Sequence, residues 1–216
     1  MTTDQPSTSK PFRRWFQYSL RTLLIVVTLF AFACSWFAVK LGQAKRQREA
    51  VEEFSKLGGT IAYDYQLDAS TKQNKEPPSP AWLRKILGDD FFHTVVYAHL
   101  ENDASMLYLK DLSEIRRLNL SGSEITDKGL EQLKDLPQLQ NLCLVGTTVT
   151  DPGLEHLRGL TQLQVLALDG TKVTDNVLEH LKELTQLKEL GLYDTKVTDE
   201  GVKKLQQALP NCKIIR

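Results

Sequence analysis

Between Ile115 and Asn211 the pattern L-x-x-L-x-L-x-x-[TS]-x-[VI]-T-D-x-x-[LV]-x-x-L comes round four times. The copies begin at Ile115, Leu139, Leu163 and Leu187, a constant step of 24 residues. A fixed period of this length means that each copy is one supersecondary unit, too small to enclose its own apolar face. Only stacking buries that face, so the C-terminal half must be a solenoid.

Numbering each copy 1 to 24 assigns most of its regularity to folding. Positions 4 and 6 are Leu118 and Leu120, Leu142 and Leu144, Leu166 and Leu168, Leu190 and Leu192. Side chains alternate along a strand, so these pairs share one face, and stacked copies make a parallel sheet with that face inward. Position 11 (Ile125, Val149, Val173, Val197) adds a second layer. Positions 16 and 19, such as Leu154 and Leu157, have the spacing of one helix face. Position 9 is always Ser or Thr, whose hydroxyl can bond turn backbone. Positions 12 and 13 are Thr-Asp in all four copies. Pro152 follows Asp151, and proline favours the first helical position, so the aspartate is expected as the helix N-cap. Calcium binding by the aspartate row is the competing reading.

With G-T-K-V-T-D and G-L-x-x-L in place, the chain resembles leucine-rich repeat proteins of the G-x-x-[VI]-T-D-x-G-L kind over about 100 residues. Such repeats occur in membrane-anchored bacterial proteins and in F-box-type ubiquitin-ligase receptors. The preceding apolar segment, R-Q-R-E-A-V and K-L-G-G look like the bacterial set, and no F-box precedes the repeats. The resemblance implies an α/β solenoid with a curved parallel sheet and convex helices, usually binding protein on the concave sheet. Val177 departs from the position-15 glycine of Gly129, Gly153 and Gly201, and the last copy gains a residue before Cys212.

Ahead of the repeats, residues 1–21 read as a disordered, basic and aromatic flank. Thr22 to Val39 contain no charge, and residues 22–41 are expected to form a single transmembrane helix. Eighteen residues give roughly 27 Å of helix, close to the ~30 Å hydrocarbon core. Trp15, Phe16 and Tyr18 at one end and Trp36 and Phe37 at the other suit the membrane interfaces. Ala31-Phe-Ala33 followed by Cys34 keeps a cleaved signal peptide and a lipoprotein signal as alternatives. Four basic residues flank each side, so charge counting does not orient the segment. Its likeness to a signal sequence leans toward repeats outside the cytoplasm.

Residues 42–59 are expected as a juxtamembrane helix. Its stripe of Leu41, Ala44, Val51, Phe54 and Leu57 either packs on the chain's own domain or pairs two copies as a homo-oligomer. Gly58-Gly59 should end it. Residues 60–114 are assigned to an N-terminal cap and a degenerate first coil. Within it, a strand over Thr60–Asp68 and a proline-bearing loop to Pro80 are expected. A short helix over Ala81–Leu87, capped by Ser79, and a strand over His93–Leu100 follow. Strand, helix, strand implies a right-handed crossover and parallel strands. Val95, Ala98 and Leu100 mimic positions 1, 4 and 6 one shortened step of 20 residues before Ile115.

What the repeat leaves free is the outward set on the concave face. Position 3 reads Arg117, Asn141, Val165, Glu189; position 5 begins Asn119, Cys143, Ala167; position 7 ends with Asp169 and Tyr193. The candidate protein-binding residues are therefore Arg117, Asn141, Val165, Glu189, Asn119, Cys143, Asp169 and Tyr193. Lys+Arg and Asp+Glu balance at 27 each, which gives no nucleic-acid footprint. There is no H-E-x-x-H, phosphate-binding glycine loop or G-x-S-x-G, so no enzyme, metal or cofactor is expected. Cys143 has no histidine on its ladder positions to activate it. His156 and His180 read as a solvated helix face, and a Cys143–Cys212 bridge would have to link different coils. The expected function is a membrane-tethered protein- or peptide-binding module. The alternatives are a structural envelope protein or, after signal cleavage, a secreted or lipid-anchored repeat protein.

Overall fold

The computed structural model describes residues 20–66 and 77–216 and divides into two units, Met1–Lys40 and Leu41–Arg216. The expected flank before Leu20 and most of the loop between 68 and 80 lie outside the described residues.

In the first unit every described residue belongs to helix α1, which spans Leu20–Lys56 and continues into the second unit. Its most apolar stretch has a mean hydropathy of 2.3 and is exposed throughout. Thr28, a hydroxyl within this apolar run, bonds back to the carbonyls of Leu24 and Ile25, which removes its need for water. The helix is long and apolar enough to cross a membrane, and a signal sequence would meet the same test.

The second unit carries a seven-stranded sheet in sequence order: β1 (Thr60–Tyr63), β2 (Val95–His99), β3 (Arg117–Asn119), β4 (Asn141–Cys143), β5 (Val165–Ala167), β6 (Glu189–Gly191) and β7 (Lys213–Ile215). From β2 to β7 all pairs are parallel. Between coils the register is fixed: Arg117 stands opposite Asn141, then Val165, Glu189 and Lys213. Tyr97 stands opposite Arg117. The inward residues of positions 1, 4, 6 and 11 are at most 3% exposed and form one core with Phe54, Val95, Ala98 and Leu100.

Opposite the sheet, the α-helical part of each connection lengthens along the array. A 3-10 helix, Gly129–Asp135, serves the first coil. The second has α4 (Asp151–Leu154) running into a 3-10 turn, the third α5 (Asp175–Leu181) and the fourth α6 (Asp199–Ala208). The expected helix thus becomes a full α-helix only in the last two coils. The extra residue of the last coil is absorbed locally. Cys212 is buried and donates its N–H to the carbonyl three residues back, as Leu187 does one coil earlier. The strand then starts one residue sooner, so Lys213 still meets Glu189.

Threonine, not aspartate, caps these helices: Thr150, Thr174 and Thr198 are the N-caps and Asp151, Asp175 and Asp199 the first helical residues. The aspartates of the first three coils instead reach forward into the next coil. Asp127 accepts from the Thr150 N–H (2.7 Å) and hydroxyl (2.5 Å), Asp151 likewise from Thr174, and Asp175 from Thr198. Asp103, at the start of α3 (Asp103–Met106), serves Thr126 in the same way. The position-15 glycines leave room for this clasp, since a Cβ on Gly153 would overlap the Asp127 carboxylate. Val177 nevertheless fits there fully buried, with the Asp151–Thr174 clasp intact. Position-9 hydroxyls bond turn backbone within their own coil, Thr147 to the Leu144 carbonyl at 2.7 Å.

The cap departs from the crossover expectation: β1 runs antiparallel to β2, with Thr60 opposite His99 and a bulge at Tyr63. The handedness rule applies only when the chain crosses the sheet between parallel strands. Here the connection leaves and re-enters at the same end, because α1 has already brought the chain up the far side. α1 stops in a Schellman turn, Gly59 N–H to Phe54 O at 2.9 Å and Gly58 N–H to Ser55 O, with Gly58 at φ 82°. Glycine suits that left-handed position. Of the α1 stripe, Ala44 and Phe54 are buried and Val51 packs on the core. Phe54 also meets the Tyr108 ring at 6.1 Å. The chain's own domain therefore occupies most of the face that could have paired two copies.

Candidate functional site

Three-residue strands set the outward face, because positions 3, 5 and 7 alternate with the buried 4 and 6. The structure places all eight sequence-selected residues on or just past these strands. Arg117, Asn141, Val165 and Glu189 form one continuous row, and Asn119 neighbours Cys143. Arg117 and Glu189 are three strand spacings apart, about 14 Å, so the row has a basic end and an acidic end. Glu189 lies 4.0 Å from Lys213. Asp169 accepts the Tyr193 N–H at 2.8 Å, which fixes the carboxylate against the backbone of the next coil. The Tyr193 ring beside it is 68% exposed.

The face is wider than the repeat indicated. β2 adds Tyr97 and His99 to it, next to Arg117 and Asn119, and β7 adds Lys213 and Ile215 beyond Glu189 and Gly191. The signal was the step of 20 residues that aligns Val95 with Ile115; carried two residues further, it selects Tyr97. His99 also corrects the expectation that Cys143 shares its row with no histidine. The two stand two strands apart, roughly 10 Å, and His99 Nδ1 bonds the Asn119 carbonyl at 3.0 Å. Beside it lies an open polar cavity of about 370 Å³ lined by His99, Glu101, Asn102, Ser121, Gly122, Ser123 and Glu124.

Glycines 122, 146 and 170 turn the chain after the outward strands with φ of 67–69°, and Asp194 takes that left-handed turn in the fourth coil at φ 54°. Aspartate is among the few residues that adopt this region without a large penalty. It places a carboxylate directly after Tyr193.

Cys34, Cys143 and Cys212 are free thiols, so the Cys143–Cys212 bridge is not formed. Burial, with Glu189 nearby, pushes the Cys212 thiol up. His180 is held by Arg158 and lies 3.7 Å from Glu155. Among the described residues no group of three or more His, Cys, Asp or Glu is placed to hold a metal.

A second polar cluster, which periodicity could not reveal, ties the cap together. His93, 5% exposed, stands between Asp64 (Nδ1, 3.2 Å) and Ser79 (Nε2, 3.1 Å). Ser79 therefore serves His93 rather than capping α2 (Ala81–Leu87), whose cap position is Pro80. Gln47 donates to Asp90 and to the His93 carbonyl, and Tyr63 donates to Asp90 at 2.9 Å. Burial, reinforced by Asp90, pushes the Tyr63 phenol well above its ordinary value. The row Ser79–His93–Asp64 has the order of an activated serine. With Tyr65 edge-on to the imidazole at 4.6 Å and the ring enclosed, it acts as a strut between β1, α2 and β2.

Stacked coils in register, an α/β layer order and a repeating leucine core give a fold of the leucine-rich repeat kind. A sequence profile described as leucine-rich repeat matches residues 115–134. Among solved structures, the chain is similar to an internalin C2 of Listeria monocytogenes, with 32% identity and TM-score 0.43 over 50% of this chain and 43% of that one. A leucine-rich repeat protein of Leptospira interrogans aligns at 22% identity and TM-score 0.43, over 51% and 27%. The APL1 leucine-rich repeat domain aligns at 14% and 0.40, over 50% and 27%. The chain thus spans less than half the length of each. No curated protein sequence matches it.

Proposed function

We propose that the chain is a membrane-tethered interaction module that binds a protein or peptide across the outward, concave face of its sheet, without catalysis. One observation carries this reading. In register after register the inward positions repeat, whereas the outward row changes from Arg117 through Asn141 and Val165 to Glu189. Folding requires the first set and leaves the second free. An extended peptide laid across the strands would meet Arg117 at one end, the small Cys143 and Ala167 in the middle, and Asp169 and Tyr193 at the other. Arg and Tyr are the side chains that most often anchor interfaces. The apolar helix ahead of the domain supplies the tether, with the repeats on the extracytoplasmic side.

The test is capture of partners from detergent-solubilised membranes by the full chain and by Arg117→Glu and Tyr193→Ala. Both side chains are exposed, so the variants keep the circular dichroism of the parent. Each is expected to weaken capture by about 1–2 kcal/mol, roughly five- to thirtyfold. Unchanged capture by both variants would sink the outward-face reading. Protease accessibility of the repeats in intact against lysed cells assigns the side, and protection that is lost only on lysis would reverse the assignment.

A further inference from the structure

Helix α2 carries an apolar pair that the fold does not use. Trp82 is 66% and Ile86 72% exposed, they are four residues apart on one helix face, and no α2 residue is buried. Lys85 beside them is exposed, while the other basic residue, Arg84, turns back to the Ser79 carbonyl and Asp89.

Topology within the second unit says where this pair lies. α1 enters the unit at Leu41, rises to the turn at Gly58, and β1 returns toward the starting end. Gly59 bonds α1 at Phe54, whereas Tyr63, at the other end of β1, shares Asp90 with Gln47. The excursion between β1 and β2 therefore sits at the Leu41 end. Its fastening there is direct: Arg48 reaches the Leu87 carbonyl and Asp90, both at 3.4 Å. Seven residues of helix separate Leu41 from Arg48, about 10 Å. That is a few ångströms beyond the roughly 5–8 Å headgroup region on each side of the hydrocarbon core.

We infer that α2 is a second membrane contact, with Trp82 and Ile86 entering the bilayer interface. The occupant is lipid because the chain itself is joined at Leu41 to the apolar stretch. Tryptophan is also the side chain that most favours the boundary of headgroup and acyl chain. Lys85 faces the phosphates. An interfacial helix of this kind sinks its apolar face some 5–10 Å. The inference rests on the tether reading. It adds a second point at which the chain meets lipid.

The sequence has three tryptophans, Trp15, Trp36 and Trp82, which permits a test on the full chain. One variant (W15F/W36F) retains Trp82 alone and another (W15F/W82F) retains Trp36 alone. Both are reconstituted in phosphatidylcholine vesicles brominated at shallow or deep acyl positions. Trp36 should lose most of its fluorescence in brominated lipid, which reports the anchor. Trp82 should also be quenched, more by shallow than by deep bromine. Quenching of Trp36 with none of Trp82 overturns the α2 contact and leaves the tether standing. A chain that fails to float with the vesicles, with neither residue quenched, overturns the tether and the contact together. Adding Ile86→Ser to the Trp82-only chain should reduce the shallow quenching, and full retention would count against insertion of this face.

Discussion

The four coils and the cap before them share one sheet but are held by different means. In the coils two sets of polar bonds are copied: aspartate to threonine in the next coil, position-9 hydroxyl to its own turn. The cap has no copies. Gln47, Tyr63, Asp64, Ser79, Asp90 and His93 bond one another across 14 to 46 residues, in a network that occurs once. A repeated bond follows from the period and tolerates drift at any one site. A single-use network concentrates the join between α1 and the array in a few side chains. The cap should accordingly be the more easily broken region, and its failure the more complete.

The largest effect is expected at Phe54, which is fully buried between α1, Tyr108 and the core. Phe54→Ala should cost about 3–5 kcal/mol in denaturant unfolding. Amide exchange should show α1 and β1 opening while β4 to β6 stay protected, and equal loss in both regions would erase the contrast. In the coils, Asp151→Ala removes the acceptor of the Thr174 N–H and hydroxyl. The clasp is only partly buried, so a cost near the lower end of about 1–3 kcal/mol is expected. Exchange should rise at Thr174 and not at Thr126. Ser79→Ala frees one nitrogen of the enclosed His93 and should cost about 1 kcal/mol, read from the denaturation midpoint.

The smallest effect concerns pH. Hydrogen bonds from the Thr198 hydroxyl and amide hold the Asp175 carboxyl below its ordinary 3.8. A depressed folded-state value means that the clasp contributes fully above that ordinary value. It is lost as pH falls through the lower, folded value. Exchange at the Thr198 amide should therefore rise only below about pH 4. Asp175→Asn should flatten that dependence, and an unchanged profile would show that another group controls it.

The layers of the coils were legible because each one recurs. Positions 1, 4, 6, 11, 16 and 19 could be assigned inward from spacing alone. The eight outward candidates followed by subtraction, and the sheet aligns them as rows. What spacing could not supply was any bond whose partners differ in role. Asp151 beside Pro152 has the local look of a cap, yet its acceptors turn to Thr174, 23 residues on. β1 looked parallel because the crossover rule presumes that the chain must traverse the sheet, and α1 had already done so. The network around His93 was invisible for a simpler reason: nothing in it repeats. Tyr97 and His99 belonged to the face all along, but β2 is offset by a shortened step.

The aspartate–threonine clasp has a consequence for how such an array can change length. Every 24-residue unit carries both halves of the joint, a threonine that donates backward and an aspartate that accepts from the unit ahead. Duplicating or deleting one unit leaves each remaining half with a matching half, wherever the cut falls within the array. Lengthening then needs no compensating substitution, and the outward row gains one blank position on which recognition can be rewritten.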